Sequence, residues 1–251
     1  LVTSFTGDSL AGNIGELPAG TLNRPGWIET DYRRAGESST DRPHRAIVQI
    51  ENLIAFAHSD LRGAPTLTAE EEATLRSLVH EDAFDATAVA DYDHFGRKGI
   101  GPLEHDVKAV EMYLRERLDE VGLGRLREWV HFPMTSEDVN NLAWNLMLRQ
   151  AMNRVWVPKA LELMDQLVYL AETYADVPVL GITHGMKASP TTFGKRFAYT
   201  LERLLEVFKT LRELRLTGKY SGPVGNHNAM TAAAPEFDME AFARTFVEGF
   251  D

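Results

Sequence analysis

Cysteine is absent from all 251 residues, which excludes disulfides, thiolate nucleophiles and cysteine-ligated metals and fits a reducing, cytoplasmic setting. Long apolar runs are absent too: nothing approaches the ~18 consecutive apolar residues of a membrane helix. The first residues lack the basic-then-apolar order of a signal peptide, so no membrane partner is expected. Positive charge is in short supply, with 26 Lys and Arg against 37 Asp and Glu and a formal net charge of -11. Such a surface repels a polyanion on average, and nucleic acid is not expected as a partner. Strand-like alternation is confined to "VPVLGIT", and there is no internal repeat and no sustained heptad.

What is present is helical. Hydrophobic residues make up 44% of a chain long enough to bury a sizeable core. Residues 1–42 are rich in Gly, Ser, Thr, Asp and Pro, with scattered Leu and Trp27, and are expected to be irregular. From Arg45 onward Ile47, Ile50, Leu53, Ile54 and Ala57 recur at helical spacing, and Gly63 and Pro65 close the segment. Thr68 and Glu71 have the spacing of a capping box at the start of a second helix. Val107, Val110, Met112 and Leu114 mark a third, over about 103–121, ended by Gly122 and Gly124. After Thr135 a long segment carries apolar residues on more than one face, as a fully packed helix requires. Pro158 lacks an amide hydrogen in its middle, which predicts a kink or a break there. Phe197, Leu201, Leu204, Leu205, Phe208 and Leu211 form one stripe over about 192–216, and a last helix covers about 239–250. The class is all-α.

Three polar stretches interrupt these helices: "EHDVKAVE", "TSEDVNN" and "THGMKASPTT". A helix start offers unpaired N–H groups and a partial positive charge, so Thr135 and Ser136 can hold a carboxylate or phosphate there. Ser and Thr with acids three residues on are equally ordinary capping residues. His105 adjoins Asp106, which can fix its tautomer, and a capping or exposed histidine explains it as well. Lys108, three residues on, shares its helical face and can supply charge to an anion, or simply be solvated. His184 precedes Gly185, a residue that admits positive φ; the pair predicts a tight turn presenting the imidazole, or a turn that is only structural.

Taken in order, "HDVKAVE", "VHFPMTSEDVNNL", "THG" with "ASPTTFGK", and "GKYSGPVGNHNA" resemble the adenylosuccinate lyases of the fumarase and aspartase superfamily, over about residues 104–250. The resemblance implies an N-terminal helical domain at 43–134 and, at 135–251, the first part of a long central helix bundle. It also implies an enzyme without metal or organic cofactor, forming homotetramers whose active sites are shared between subunits. The reaction is elimination of fumarate from adenylosuccinate and succinyl-carboxamide ribotide in purine biosynthesis, so the partner is a small nucleotide substrate. By similarity His184 is the general acid and His105 the second catalytic histidine. Glu104, Asp106, Lys108, Thr135, Ser136 and Thr183 bind substrate, with Tyr32 and Arg33 of "TDYRR" standing for the family's phosphate-binding pair in reversed order.

The sequence also departs from the pattern. Where the family reads approximately "RTHGQPASPTT", this chain has Ile182, Met186 and Lys187 at the Arg, Gln and Pro positions. The family's "SSxMPxKxNP" loop, which supplies the basic serine, would lie beyond Asp251, so the resemblance implies an incomplete chain that is inactive alone. Two alternatives follow: a paralogous lyase acting on another N-succinyl compound, or a helical oligomerisation protein without catalysis.

Overall fold

The structure, a computed structural model, describes residues 2–4, 41–80 and 82–250. Helices dominate it. The chain forms two compact units, one running to Leu148 and resumed from Thr217, the other comprising Arg149–Leu216.

In the first unit α1 (Asp41–Ala57) is the central element. Its Ala46, Ile50, Leu53 and Ile54 pack with α2 (Ala69–Leu78), α3 (Ala86–Ala90) and α4 (Asp106–Glu120). Its Val48 and Phe56 face a second apolar cluster, made with α5 (Ser136–Ala151) and the returning chain. A helix buried on two sides must be apolar on two faces, and α1 is. The Thr68 capping box is present, with Thr68 Oγ1 accepting from Glu71 N–H and Glu71 Oε2 from Thr68 N–H. Between α3 and α4 a π-helical turn at Asp91–Phe95 leads into a loop fastened by Glu116, whose carboxylate takes two bonds from Arg97 at 2.9 Å and one from Tyr92 at 3.0 Å. A 3₁₀ turn at Gly124–Trp129 follows α4. The short α3 and both of these turns carry too few periodic residues to be legible in the sequence.

The second unit is a pair of long helices, α6 (Val157–Thr173) and α7 (Phe193–Glu213), joined by an antiparallel hairpin of β2 (Pro178–Thr183) and β3 (Met186–Thr192), counting Val2–Ser4 as β1. The "VPVLGIT" alternation is thus a strand, and "MKASPTT" is its partner. Gly194 lets the helices close: a Cβ there would stand 2.3 Å from the Ala171 carbonyl oxygen. Pro158 does not interrupt the helical backbone. It follows a π-helical turn at Met152–Trp156, and the wider turn accommodates the missing hydrogen bond without a break. The strand Arg215–Thr217 (β4) leads back to the first unit, where α8 (Asn228–Ala233) and α9 (Met239–Glu248) add Met230, Ala243, Phe246 and Val247 to the second apolar cluster.

Candidate active site

The starts of α4 and α5 meet in the first unit. His105 caps α4: its Nδ1 accepts from the Lys108 amide at 3.3 Å. A nitrogen that accepts carries no proton, so in the neutral ring the proton is on Nε2, an assignment taken from the bonding pattern. That Nε2 lies 3.4 Å from Ser136 Oγ, in the first residue of α5. Ser136 therefore accepts from His105 and keeps its own hydroxyl hydrogen for another oxygen.

Thr135 is occupied differently. Both its N–H and its hydroxyl donate to Asp138 Oδ2, at 3.0 and 2.9 Å. Asp138 is fully buried and also accepts from Lys219 Nζ at 2.7 Å, Ser221 N at 3.0 Å and Gly222 N at 3.1 Å. Burial pushes this carboxyl up, but the donors outweigh it and hold Asp138 below the usual aspartate value. Asn141 extends the junction, exchanging two bonds with the Lys219 backbone at 2.8 and 3.1 Å. The loop at 217–222 is thereby fixed beside the start of α5.

Asp106 remains exposed while accepting from its neighbour's amide, Val107 N, at 2.8 Å and pairing with the buried Arg45 at 2.8 Å; His105 Nδ1 is 3.7 Å away, outside hydrogen-bond reach. Lys108 is paired with the buried Glu111 at 2.8 Å. Glu104 sits at φ 49°, with its N–H held by the Asp93 carbonyl at 2.9 Å. A left-handed glutamate directly before the cap turns the chain sharply into α4.

His184 and Thr183 belong to the second unit. The hairpin pairs Thr183 with Met186 and Ile182 with Lys187, which leaves His184 and Gly185 as a two-residue connection with φ of 53° and 76°. Two positive φ values are the mark of a type I′ hairpin turn. They place the imidazole at an exposed tip. Tyr32 and Arg33 lie outside the described residues.

Besides Asp138 and Asn141, two residues join the first-unit group without having been singled out in the sequence. His131, four residues before Thr135, is partly buried between Gln49 and this group; burial lowers its pKa, and Glu111 opposes that shift. Its place in "VHFPMTSED" was the available signal. Lys219 had none beyond its presence in "GKYSG".

A profile of the family described as lyase matches residues 82–250. The adenylosuccinate lyase of Haemophilus influenzae is 37% identical over 206 residues, covering 81% of this chain and 44% of that protein. That of Escherichia coli strain K12 is 36% identical over 196 residues, covering 76% and 41%. The chain thus spans less than half the length of these curated relatives. Among solved structures, the 3-carboxy-cis,cis-muconate lactonizing enzyme of Pseudomonas putida is similar with a TM-score of 0.60 at 21% identity, covering 85% of this chain and 45% of that one. At that identity the likeness speaks for the fold.

Proposed function

Because this chain belongs to the lyase family whose profile spans residues 82–250, we propose that it serves an adenylosuccinate lyase, releasing fumarate from adenylosuccinate and from succinyl-carboxamide ribotide. The observation that carries this reading is the meeting of His105 with Ser136 at 3.4 Å, in a chain 36–37% identical to adenylosuccinate lyases.

The chemistry uses what the helix starts offer. Loss of a proton from the succinyl Cβ builds negative charge on the adjacent carboxylate, which needs fixed donors. The Ser136 hydroxyl and the first-turn amides of α5 are such donors. As the C–N bond breaks, the leaving nitrogen needs a proton, and His184 is the acid. His105 orients Ser136 through Nε2–H. Thr135, committed to Asp138, shapes the helix start and offers a substrate only an acceptor.

The working assembly is a homotetramer with shared sites. Its support is the second unit's uncovered apolar surface: Tyr169 is 60%, Ile182 68% and Val207 66% exposed, the kind of surface that marks an interface. Among the described residues no helix is long and apolar enough to cross a membrane.

A lyase for another N-succinyl compound is the second reading, supported by Ile182, Met186 and Lys187 beside His184. Fumarate release from both nucleotides by the intact protein separates the two. Turnover of either supports the first, and turnover of neither rejects it.

A further inference from the structure

Two carboxamides project from one face of α1 toward the segment that carries His131. Asn52 holds its backbone, donating to the Phe132 carbonyl at 2.7 Å while accepting from Tyr220 OH at 2.7 Å. Gln49, three residues earlier and fully buried, addresses the ring: its Nε2 lies 3.3 Å from His131 Nδ1 and 3.5 Å from the Val107 carbonyl oxygen. The Val107 contact fixes which way the amide points. A carbonyl oxygen can only accept, so it must face the NH2 end of Gln49, and the flipped amide would set two oxygens against each other. With the NH2 end there, Nδ1 of His131 also meets a donor and must accept.

We propose that Gln49 is a positioning residue that holds His131 as the neutral Nε2–H tautomer, with the donor on the ring nitrogen that does not face Gln49. The arrangement has a cost. Gln49 Oε1 is left buried with no hydrogen-bond partner, an acceptor unmet because the amide is oriented by its NH2 end. The charged groups acting on His131 are Glu111, Lys108, His105 and Asp138. Both nearby carboxylates are already engaged, Glu111 by Lys108 and Arg115 and Asp138 by Lys219. A donor Nε2–H fits an oxygen-rich anionic ligand, and in that respect the inference rests on the function proposed above.

The tautomer is read directly from imidazole nitrogen and proton NMR correlations on protein labelled at histidine. The expected result is an unprotonated Nδ1 and a protonated Nε2 in His131. The reverse pattern in the unaltered protein overturns the proposal without any substitution. Gln49→Glu supplies an acceptor and should move the proton to Nδ1 and raise the His131 pKa; Gln49→Met, of similar volume, should leave it unfixed, with both tautomers visible. A His131 that stays wholly Nε2–H in both variants overturns the role of Gln49. Fumarate release in Gln49→Glu is the separate readout. A switched tautomer with unchanged kcat and KM upholds the positioning and counts against the functional reading of the site.

Discussion

The carboxylate of Asp138 and the ammonium of Lys219 lie 2.7 Å apart, tying the first turn of α5 to a loop 81 residues further along. The carboxylate is fully buried, whereas the lysine side chain is 38% exposed, so the two ends of the pair are not equivalent. Asp138→Ala leaves the Thr135, Ser221 and Gly222 amides without their acceptor and should destabilise the protein by about 3 kcal/mol. Lys219→Met leaves Asp138 its other four donors and should cost less, about 1–2 kcal/mol. Denaturant midpoints of the two variants measure the order, and a larger loss for Lys219→Met would contradict the arrangement.

Acid should loosen the loop before α4. Its clamp, Glu116, is held down to about 2 from an ordinary value of 4.5, chiefly by Arg97, with burial opposing. A carboxyl depressed on folding contributes stability above its unfolded value that is lost as pH falls from about 4.5 toward 2. Discounted for solvent screening, that contribution is about 1–2 kcal/mol. Tyr92, pushed up to about 12 by burial and by Glu116, acts at the other end, its share being lost as pH rises from 10 toward 12. Stability measured from pH 2 to 7 in Glu116→Gln should therefore lack part of the acid slope of the unaltered protein. An identical slope would mean that the clamp contributes nothing.

The two hydroxyls at the start of α5 should separate on substitution. Thr135 spends its donors on Asp138, so Thr135→Val should lower stability by about 1–2 kcal/mol. Ser136 has its hydrogen free, so Ser136→Ala should raise KM about tenfold, the loss of one hydrogen bond of about 1.4 kcal/mol to a charged group. Its denaturation midpoint should stay within a few tenths of a kcal/mol. Paired kinetics and denaturation on both variants test the division, and the opposite pattern would reverse it.

Much of this was written locally in the chain. Ile50 and Leu53, Thr68 with Glu71, and the Phe197 to Leu211 stripe are short-range signals, and each lies in the element its spacing predicts. His105 and Ser136 were visible as helix-start residues, but their contact across 31 positions was not. Gln49 is the clearest case of what sequence hides. A glutamine on a helix reads as surface, and only the packing of Val107 and His131 around it turns it into a buried donor. Asp138 likewise reads as a first-turn acid, and its three partners beyond Thr135, namely Lys219 Nζ, Ser221 N and Gly222 N, depend on tertiary structure.

The second unit should be covered in the working assembly. Val207 and Tyr169 lie on α7 and α6 with 66% and 60% of their surface uncovered, too much apolar area for long helices standing free in water. Val207→Glu combined with Tyr169→Glu places charges on that surface, where burying them unpaired would be costly. The assembly should therefore lose mass in light scattering, moving toward fewer chains, while far-ultraviolet circular dichroism stays helical. An unchanged mass would show that these faces are not the contact.

His184 occupies a turn position where a side chain is a burden. Its φ of 53° costs an L-residue roughly 1 kcal/mol relative to ordinary backbone, and Gly is relieved of that cost while losing more chain entropy on folding. His184→Gly should therefore leave the thermal midpoint unchanged or slightly higher. Fumarate release should nevertheless fall by ~100-fold or more, the usual loss for a positioned acid. His184→Asn, which tolerates the left-handed turn but cannot deliver a proton, should fall as far. A histidine retained only for the turn predicts the opposite, full activity in the asparagine variant, so the rate of fumarate release in these two proteins decides whether the tip of the hairpin is chemistry or architecture.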